Sequence, residues 1–147
     1  MKLEGTTDIA APRERVWAAF LDPAVLAVAM PGCDQLEAIG PGQYRAILKV
    51  GVGAIKGTFE GKVHLSDLDP PNRYHMAVEG KGGPGFVRGQ AAMELSDVEG
   101  GTRVHYSADV QVGGLIASVG QRMLGGVSKL MLDQFFAKMT EILAAQP

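Results

Sequence analysis

The sequence predicts an α+β fold: a curved antiparallel sheet of six to seven strands wrapped around a long C-terminal helix, with two short helices after the first strand. Three observations predict it. Apolar residues recur at helical spacing from Pro12 to Ala29, alternate strictly from Asp34 to Val112, and return to helical spacing from Leu115. Gly, Pro and Asn clusters cut the alternating stretch into pieces joined too closely for anything but an antiparallel meander. A closing helix of roughly 30 residues would be about 45 Å long, enough to cross such a sheet diagonally, which two short helices cannot do.

The elements follow in order. Residues 2–10 alternate loosely and predict a first strand. Pro12 suits a first helical position, where its missing N–H costs nothing, and Val16, Trp17, Phe20 and Leu21 follow at helical spacing. Asp22-Pro23 repeats the start signal for a second short helix through about Ala29, closed by Met30-Pro31-Gly32-Cys33. The strands then alternate Tyr44, Ala46, Leu48 and Val50; Ile55, Phe59, Val63 and Leu65; Tyr74, Met76 and Val78; Val87, Ala91, Met93 and Leu95; and Val104 through Val112. Their turns fall at Gly40–Gly42, Val52–Ala54, Asp69–Asn72, Gly82–Gly85 and Glu99–Gly101. The closing helix is expected from Leu115 to Ala145 as one piece. Its stripe is Ile116, Val119, Met123, Val127, Leu130, Met131, Phe135, Met139 and Ile142.

Composition bounds the function. The 147 residues suffice for a single domain, 1–147, with a real core. Fourteen basic against sixteen acidic residues give a net charge of −2, without the basic footprint of a nucleic-acid binder. One cysteine forms no internal disulfide, and His64, His75 and His105 stand too far apart for zinc-ligand spacing. No signal-peptide core opens the chain, and no apolar run approaches the roughly 18 residues of a spanning helix. A cytoplasmic protein is therefore expected.

Glycine needs an explanation: 20 of 147 residues, about 14%, is nearly twice the average of about 7%. Hairpin tips take some. Gly51, Gly53, Gly57, Gly61, Gly80 and Gly89 fall in or beside strands, where kinks let a sheet curl. Gly120, Gly125 and Gly126 interrupt the closing helix, and at Gly120 the missing side chain permits bending, close packing or a guest.

The faces assigned inward carry no Asp, Glu, Lys, Arg or His between Tyr44 and Val112. All three histidines fall on the wet phase, so the interior lacks a general acid or base and no catalytic residue is expected. Cys33 follows a helix C-terminus, the wrong end for a reactive thiolate. Gly80–Gly89 has glycines at phosphate-loop spacing but strands on both sides, so it reads as a hairpin. Seven methionines, several on inward faces, favour a deformable apolar cavity. Tyr44 and Tyr106 could donate to a ligand carbonyl. The expected lining is Met30, Phe59, Met76, Val78, Phe86, Met93, Tyr106, Val119, Met123, Leu124 and Val127, with Phe86 gating the mouth.

Paired short helices with Ala11-Pro12 and Val16-Trp17, a curved sheet and a long closing helix resemble the START-like helix-grip (SRPBCC) superfamily. Met30-Pro31-Gly32-Cys33, Gly80–Gly89, and Val112-Gly113-Gly114-Leu115 with Asp133-Gln134-Phe135-Phe136 resemble the G-subunit family of carbon monoxide dehydrogenase. That resemblance implies a non-catalytic protein that brings a molybdenum hydroxylase of the carbon monoxide dehydrogenase type to the membrane, with a cavity able to hold a respiratory quinone. Some members attach through a C-terminal extension; ending at Gln146-Pro147, this chain is expected to lack it. The expected ligand is a quinone, similar isoprenoid or lipid, held non-covalently, with no metal. The rival expectation is a polyketide cyclase or hydrolase-like enzyme, as in other superfamily members. It would need a bulge that turns His75, His105 or Asp109 inward.

Overall fold

A computed structural model describes residues 1–52 and 55–145. The chain runs β1 (Lys2–Ile9), α1 (Arg13–Leu21), α2 (Pro23–Ala29), β2 (Cys33–Gly40), β3 (Gln43–Val52), β4 (Ile55–Asp69), β5 (Arg73–Gly82), β6 (Gly85–Val98), β7 (Gly101–Gly113), a 3₁₀ segment (Leu115–Val119) and α3 (Gln121–Ala145). The strands form one curved, antiparallel, seven-stranded sheet in the order β1-β7-β6-β5-β4-β3-β2. The six strands after the short helices are a continuous meander, and β1 closes against the last of them. Of the expected turns, Gly53-Ala54 lies outside the described residues.

Local chemistry explains the helix starts. The Asp22 carboxylate accepts from the Ala24 N–H at 2.9 Å, and Pro23 opens α2 where no N–H is needed. Pro12 stands one position earlier than expected: it is the extended N-cap of α1 (φ −62°, ψ 150°) rather than its first helical residue. The chain between β1 and α1 is pinned by Thr102, wholly buried on β7, whose hydroxyl donates to the Ala11 carbonyl at 2.7 Å.

The closing helix departs from expectation in two ways. It is not one piece: Gly120 has φ +91° and ψ 155°, a backbone region that only glycine enters readily, and it separates the 3₁₀ segment from α3. Second, the buried stripe follows the expected one only in part: Met139 is buried as expected, and Val127, Phe135 and Ile142 pack against the clusters half-buried. Leu124, Phe136, Met139 and Leu143 are buried, whereas Met123 and Leu130 are exposed. Adjacent apolar pairs such as Met123-Leu124 and Ile142-Leu143 leave the phase of the stripe undetermined by spacing, and packing chooses the second member.

Two apolar clusters fill the space between sheet and helices. The larger joins Val16, Ala19 and Phe20 of α1 and Ala29 of α2 to Phe136, Met139 and Leu143 of α3. Beneath them lie Tyr44, Leu65, Tyr74, Met93, Leu95 and Val104 of the sheet. Its rings interlock: Tyr106 stacks on Phe136 at 5.3 Å between centroids, and Trp17 meets Tyr74 edge-on at 5.4 Å. The smaller gathers Ile55, Phe59, Ile116 and Leu124, with Val50, Val87, Val112, Val119 and Val127 against them, under the 3₁₀ segment.

Candidate ligand-binding face

The strand alternation places the charged side chains of β3–β7 on the outward phase with one exception to the expectation: Asp97, near the end of β6, has the inward phase, stands across from the buried Thr102 and pairs with Arg13 of α1 at 3.3 Å. His64, His75 and His105 all lie there; His75 Nδ1 pairs with Asp67 at 2.9 Å and His105 Nε2 with Glu4 at 3.1 Å, both at the surface. A bulge does interrupt β4 opposite β5, between Ser66 and Asp69, with Asp67 at φ +53°. It leaves His75 exposed and outward, and Asp109 is exposed as well. Asp97 aside, the inward face of β3–β7 holds no His, Asp, Glu, Lys or Arg, and no group of three or more His, Cys, Asp or Glu among the described residues could hold a metal.

Between the two apolar clusters runs a band that belongs to neither. Its sheet side is Leu48 of β3, Gly61 of β4, Val78 and Gly80 of β5, Gly89 and Ala91 of β6, and Ala108 and Val110 of β7. These residues are half-buried rather than buried, although their phase is inward. The reason is residue size: Gly and Ala stand where Phe, Tyr and Met fill the clusters on either side. A Cβ at Gly61 would find its nearest neighbours, the Glu79 and Ala46 carbonyl oxygens and Leu48, at 3.6 Å or more. Gly89 differs, because a Cβ there would lie 2.4 Å from the Asp109 carbonyl oxygen; it is a close approach of β6 to β7.

The expected lining residues are divided by this arrangement. Met93, Met76 and Tyr106 border the band from the larger cluster; Phe59, Leu124, Val119 and Val127 border it from the smaller. Val78 lies in the band itself. Met30 is half-buried at the C-cap of α2, where its N–H donates to the Leu26 carbonyl, and it joins neither cluster. Met123 is exposed on α3. Phe86 is turned away: Gly85 and Val87 on either side of it face inward, and its ring covers Gly113 on the outward side. Its place at the hairpin tip was legible, but its phase was not.

Two tyrosines offered to a ligand have different fates. The Tyr44 hydroxyl donates to the Leu21 carbonyl at 2.7 Å and is committed to fastening α1 to β3. Burial, and then the nearby Asp22 carboxylate, pushes its pKa up. Tyr106 makes no hydrogen bond among the described residues and is half-buried, with the hydroxyl end of its ring laid over Gly5 of β1. Cys33 is half-buried, with its thiol near the Gln35 carbonyl at 3.4 Å. Burial and the adjacent Asp34 push the thiol up, the opposite of activation.

Sequence reasoning missed the outward face. Two open concavities there, of about 650 Å³ and 540 Å³, follow the saddle of the twisted sheet. Gln43, Lys62, His64, Glu79, Arg88, Gln90 and Gln111 wall the first; Lys2, Asp67, His75, Ala92 and Ser107 wall the second, and both reach Asp109. Their walls mix apolar and polar surface, with charges of both signs.

Comparison with known proteins agrees with the architecture. The family model described as the carbon monoxide dehydrogenase G-subunit (CoxG) matches residues 5–144. Among solved structures, a conserved protein of Geobacillus kaustophilus is 36% identical, with a TM-score of 0.95 over 99% of this chain and 96% of that one. A Thermus thermophilus protein shares the fold at 15% identity and a TM-score of 0.74, covering all of both chains. A Rhizobium leguminosarum protein does so at 19% and 0.71, over 96% of this chain and 95% of that one. No curated protein matches.

Proposed function

Because the chain belongs to the G-subunit (CoxG) family of carbon monoxide dehydrogenase, we propose that it is a non-catalytic carrier of an apolar ligand that serves a molybdenum hydroxylase of the carbon monoxide dehydrogenase type. The ligand is a respiratory quinone or similar isoprenoid lying along the band between sheet and α3. The service is membrane recruitment of the hydroxylase or delivery of its electrons to the quinone, from the cytoplasmic face.

The observation that carries this reading is the uncharged inner band, floored by Gly61, Gly80, Gly89, Ala91 and Ala108 between two packed clusters. An isoprenoid chain laid there gains about 25 cal/mol for each Å² of apolar surface removed from water. Its head group finds one free donor, the Tyr106 hydroxyl, while acid–base groups are kept outside. The same partition argues against the cyclase or hydrolase reading, since His75, His105 and Asp109 all stay on the wet side. The test is to extract the purified protein with organic solvent and identify quinone by absorbance and mass. Stoichiometric quinone or isoprenoid is expected; a clean extract together with no binding of added quinone would end the proposal.

A further inference from the structure

The two edges of the sheet are finished differently. β2, at one edge, is broken by bulges between Cys33 and Gln35 and between Ala38 and Gly40, packs against α2, and carries Asp34 and Glu37 with no cation. Bulges and like charges keep a strand edge from pairing with another chain. β1, at the other edge, is unbroken and carries charges of both signs. Its eight residues hold a continuous register against β7, contain no proline, and include the β-branched Thr6, Thr7 and Ile9.

Hydrogen-bond alternation fixes which backbone groups lie along that edge. Met1 and Val110 bond in both directions: the Val110 N–H donates to the Met1 carbonyl at 2.8 Å and the Met1 amino group to the Val110 carbonyl at 2.7 Å. Every second residue from there, Leu3, Gly5 and Thr7, therefore bonds to β7, and the N–H and C=O groups of Lys2, Glu4, Thr6 and Asp8 point away from the sheet. Among the described residues no strand lies beyond them, and no turn or loop backbone bonds to them. The side chains of the same four residues are exposed on the outer face. Asp8 is held by Arg103 and Glu4 by His105, whereas Lys2 forms no ion pair among the described residues.

A second copy of this strand matches that edge in one register. Two copies of β1 set antiparallel about a two-fold axis at Gly5 place Lys2 opposite Asp8 and Glu4 opposite Thr6, so that each pair joins edge-facing backbone groups. Lys2 gains the carboxylate it lacks, and the Thr6 hydroxyl meets Glu4. Moving the axis to Glu4 sets Glu4 against itself, and moving it to Thr6 sets Glu4 against Asp8; both place like charges directly opposite. A slip of a single residue faces edge-pointing groups with residues already bonded to β7. We infer that β1 is a self-pairing edge, at which two copies of the chain join into one continuous antiparallel sheet related by a two-fold axis. The two inner faces then lie on the same side of the joined sheet, with Leu3 of each copy beside Thr7 of the other. The pairing does not rest on the carrier reading above.

The test is sedimentation equilibrium of the whole protein, with no tag ahead of Met1, from about 1 μM to about 500 μM. Wild type is expected to pass from monomer to dimer, reaching twice the 15.5 kDa of one chain, and to associate less as salt rises. Lys2→Glu and Asp8→Lys, each alone, set like charges opposite at both ends of the pairing and should raise the dissociation constant about tenfold or more. Mixed in equal amounts, the same two variants bring unlike charges together at both ends, and association should return to near the wild-type level. Thr6→Pro, which removes an edge-facing N–H, should leave monomer only. Glu37→Lys, on the β2 edge, should change nothing. Wild type that stays monomeric throughout overturns the inference and leaves the edge to a strand of a different protein. A dimer that survives the three β1 substitutions puts the second copy elsewhere and overturns it too. So does a dimer lost in both charge variants and not recovered on mixing them.

Discussion

Tyr44 and Tyr106 show how one hydroxyl is structural and another free. Tyr44→Phe removes the bond to the Leu21 carbonyl and should cost about 1 kcal/mol in urea unfolding, with little effect on quinone affinity. Tyr106→Phe should leave stability nearly unchanged and weaken quinone binding several-fold, because its hydroxyl has no partner to lose in the empty protein. The reverse pattern would assign the head group to the wrong tyrosine. A second residue-scale expectation concerns pH. The Arg103 guanidinium, bonded to the Asp8 carboxylate at 2.9 and 3.1 Å, holds that carboxyl below its ordinary 3.8. A lowered folded pKa means that the pair favours the folded state above the ordinary value, and that this contribution is lost as pH falls through the folded one. The carboxyl carbon of Asp8, followed by NMR, should titrate below 3.8 in the wild type and move up in Arg103→Gln; an unmoved midpoint would contradict the pairing.

At the scale of elements, the closing helix carries most of what spacing left open. Alternation in β3–β7 was readable because one face of a strand is wet and the other dry, so a period of two has one solution. The helix offered several, since Met123-Leu124, Phe135-Phe136 and Ile142-Leu143 put apolar residues side by side, and only contact with the sheet selects Leu124, Phe136 and Leu143. Three glycines were likewise visible in the helix without their roles being distinguishable. Gly120 sits at φ +91°, while a Cβ at Gly126 would meet nothing within 4 Å. Gly120→Ala should therefore cost about 1–3 kcal/mol through backbone strain. Gly126→Ala should stabilise α3 by about 1 kcal/mol. Thermal melts of the two variants, moving in opposite directions, check that the first is the joint between the 3₁₀ segment and α3 and the second only a weak spot within the helix. Phe86 was the remaining misreading: its neighbours at the hairpin tip are all glycine or proline on one side, so the alternation that fixes Val87 inward was too short to fix Phe86 outward.

Across the whole molecule, a sheet that alternates cleanly and a helix that crosses it divide the chain into an uncharged interior and a charged exterior. The interior is filled at both ends and thinly floored between them. Family membership rests on a match over residues 5–144 and fits that partition. The concavities on the outer face were illegible from sequence for a physical reason: they arise from twist accumulated across the sheet, not from any residue type. The inner band was legible only in part, as an absence of charge; that its small residues face one another across strands emerges from the register, which aligns Gly61 with Gly80 and, two rows away, Ala91 with Ala108. None of the described helices is long and apolar enough to cross a membrane.

Filling the inner band is the direct way to learn whether an apolar ligand occupies it. The double variant Ala91→Leu with Ala108→Leu places two large side chains on a half-buried cross-strand pair. Delipidated wild type and variant would be titrated with a short-chain ubiquinone, followed by quenching of Trp17, the single tryptophan. Saturable one-to-one binding to wild type is expected, at least about tenfold weaker in the variant at unchanged melting temperature. Saturable binding of equal strength in both, or none in the wild type, would contradict it.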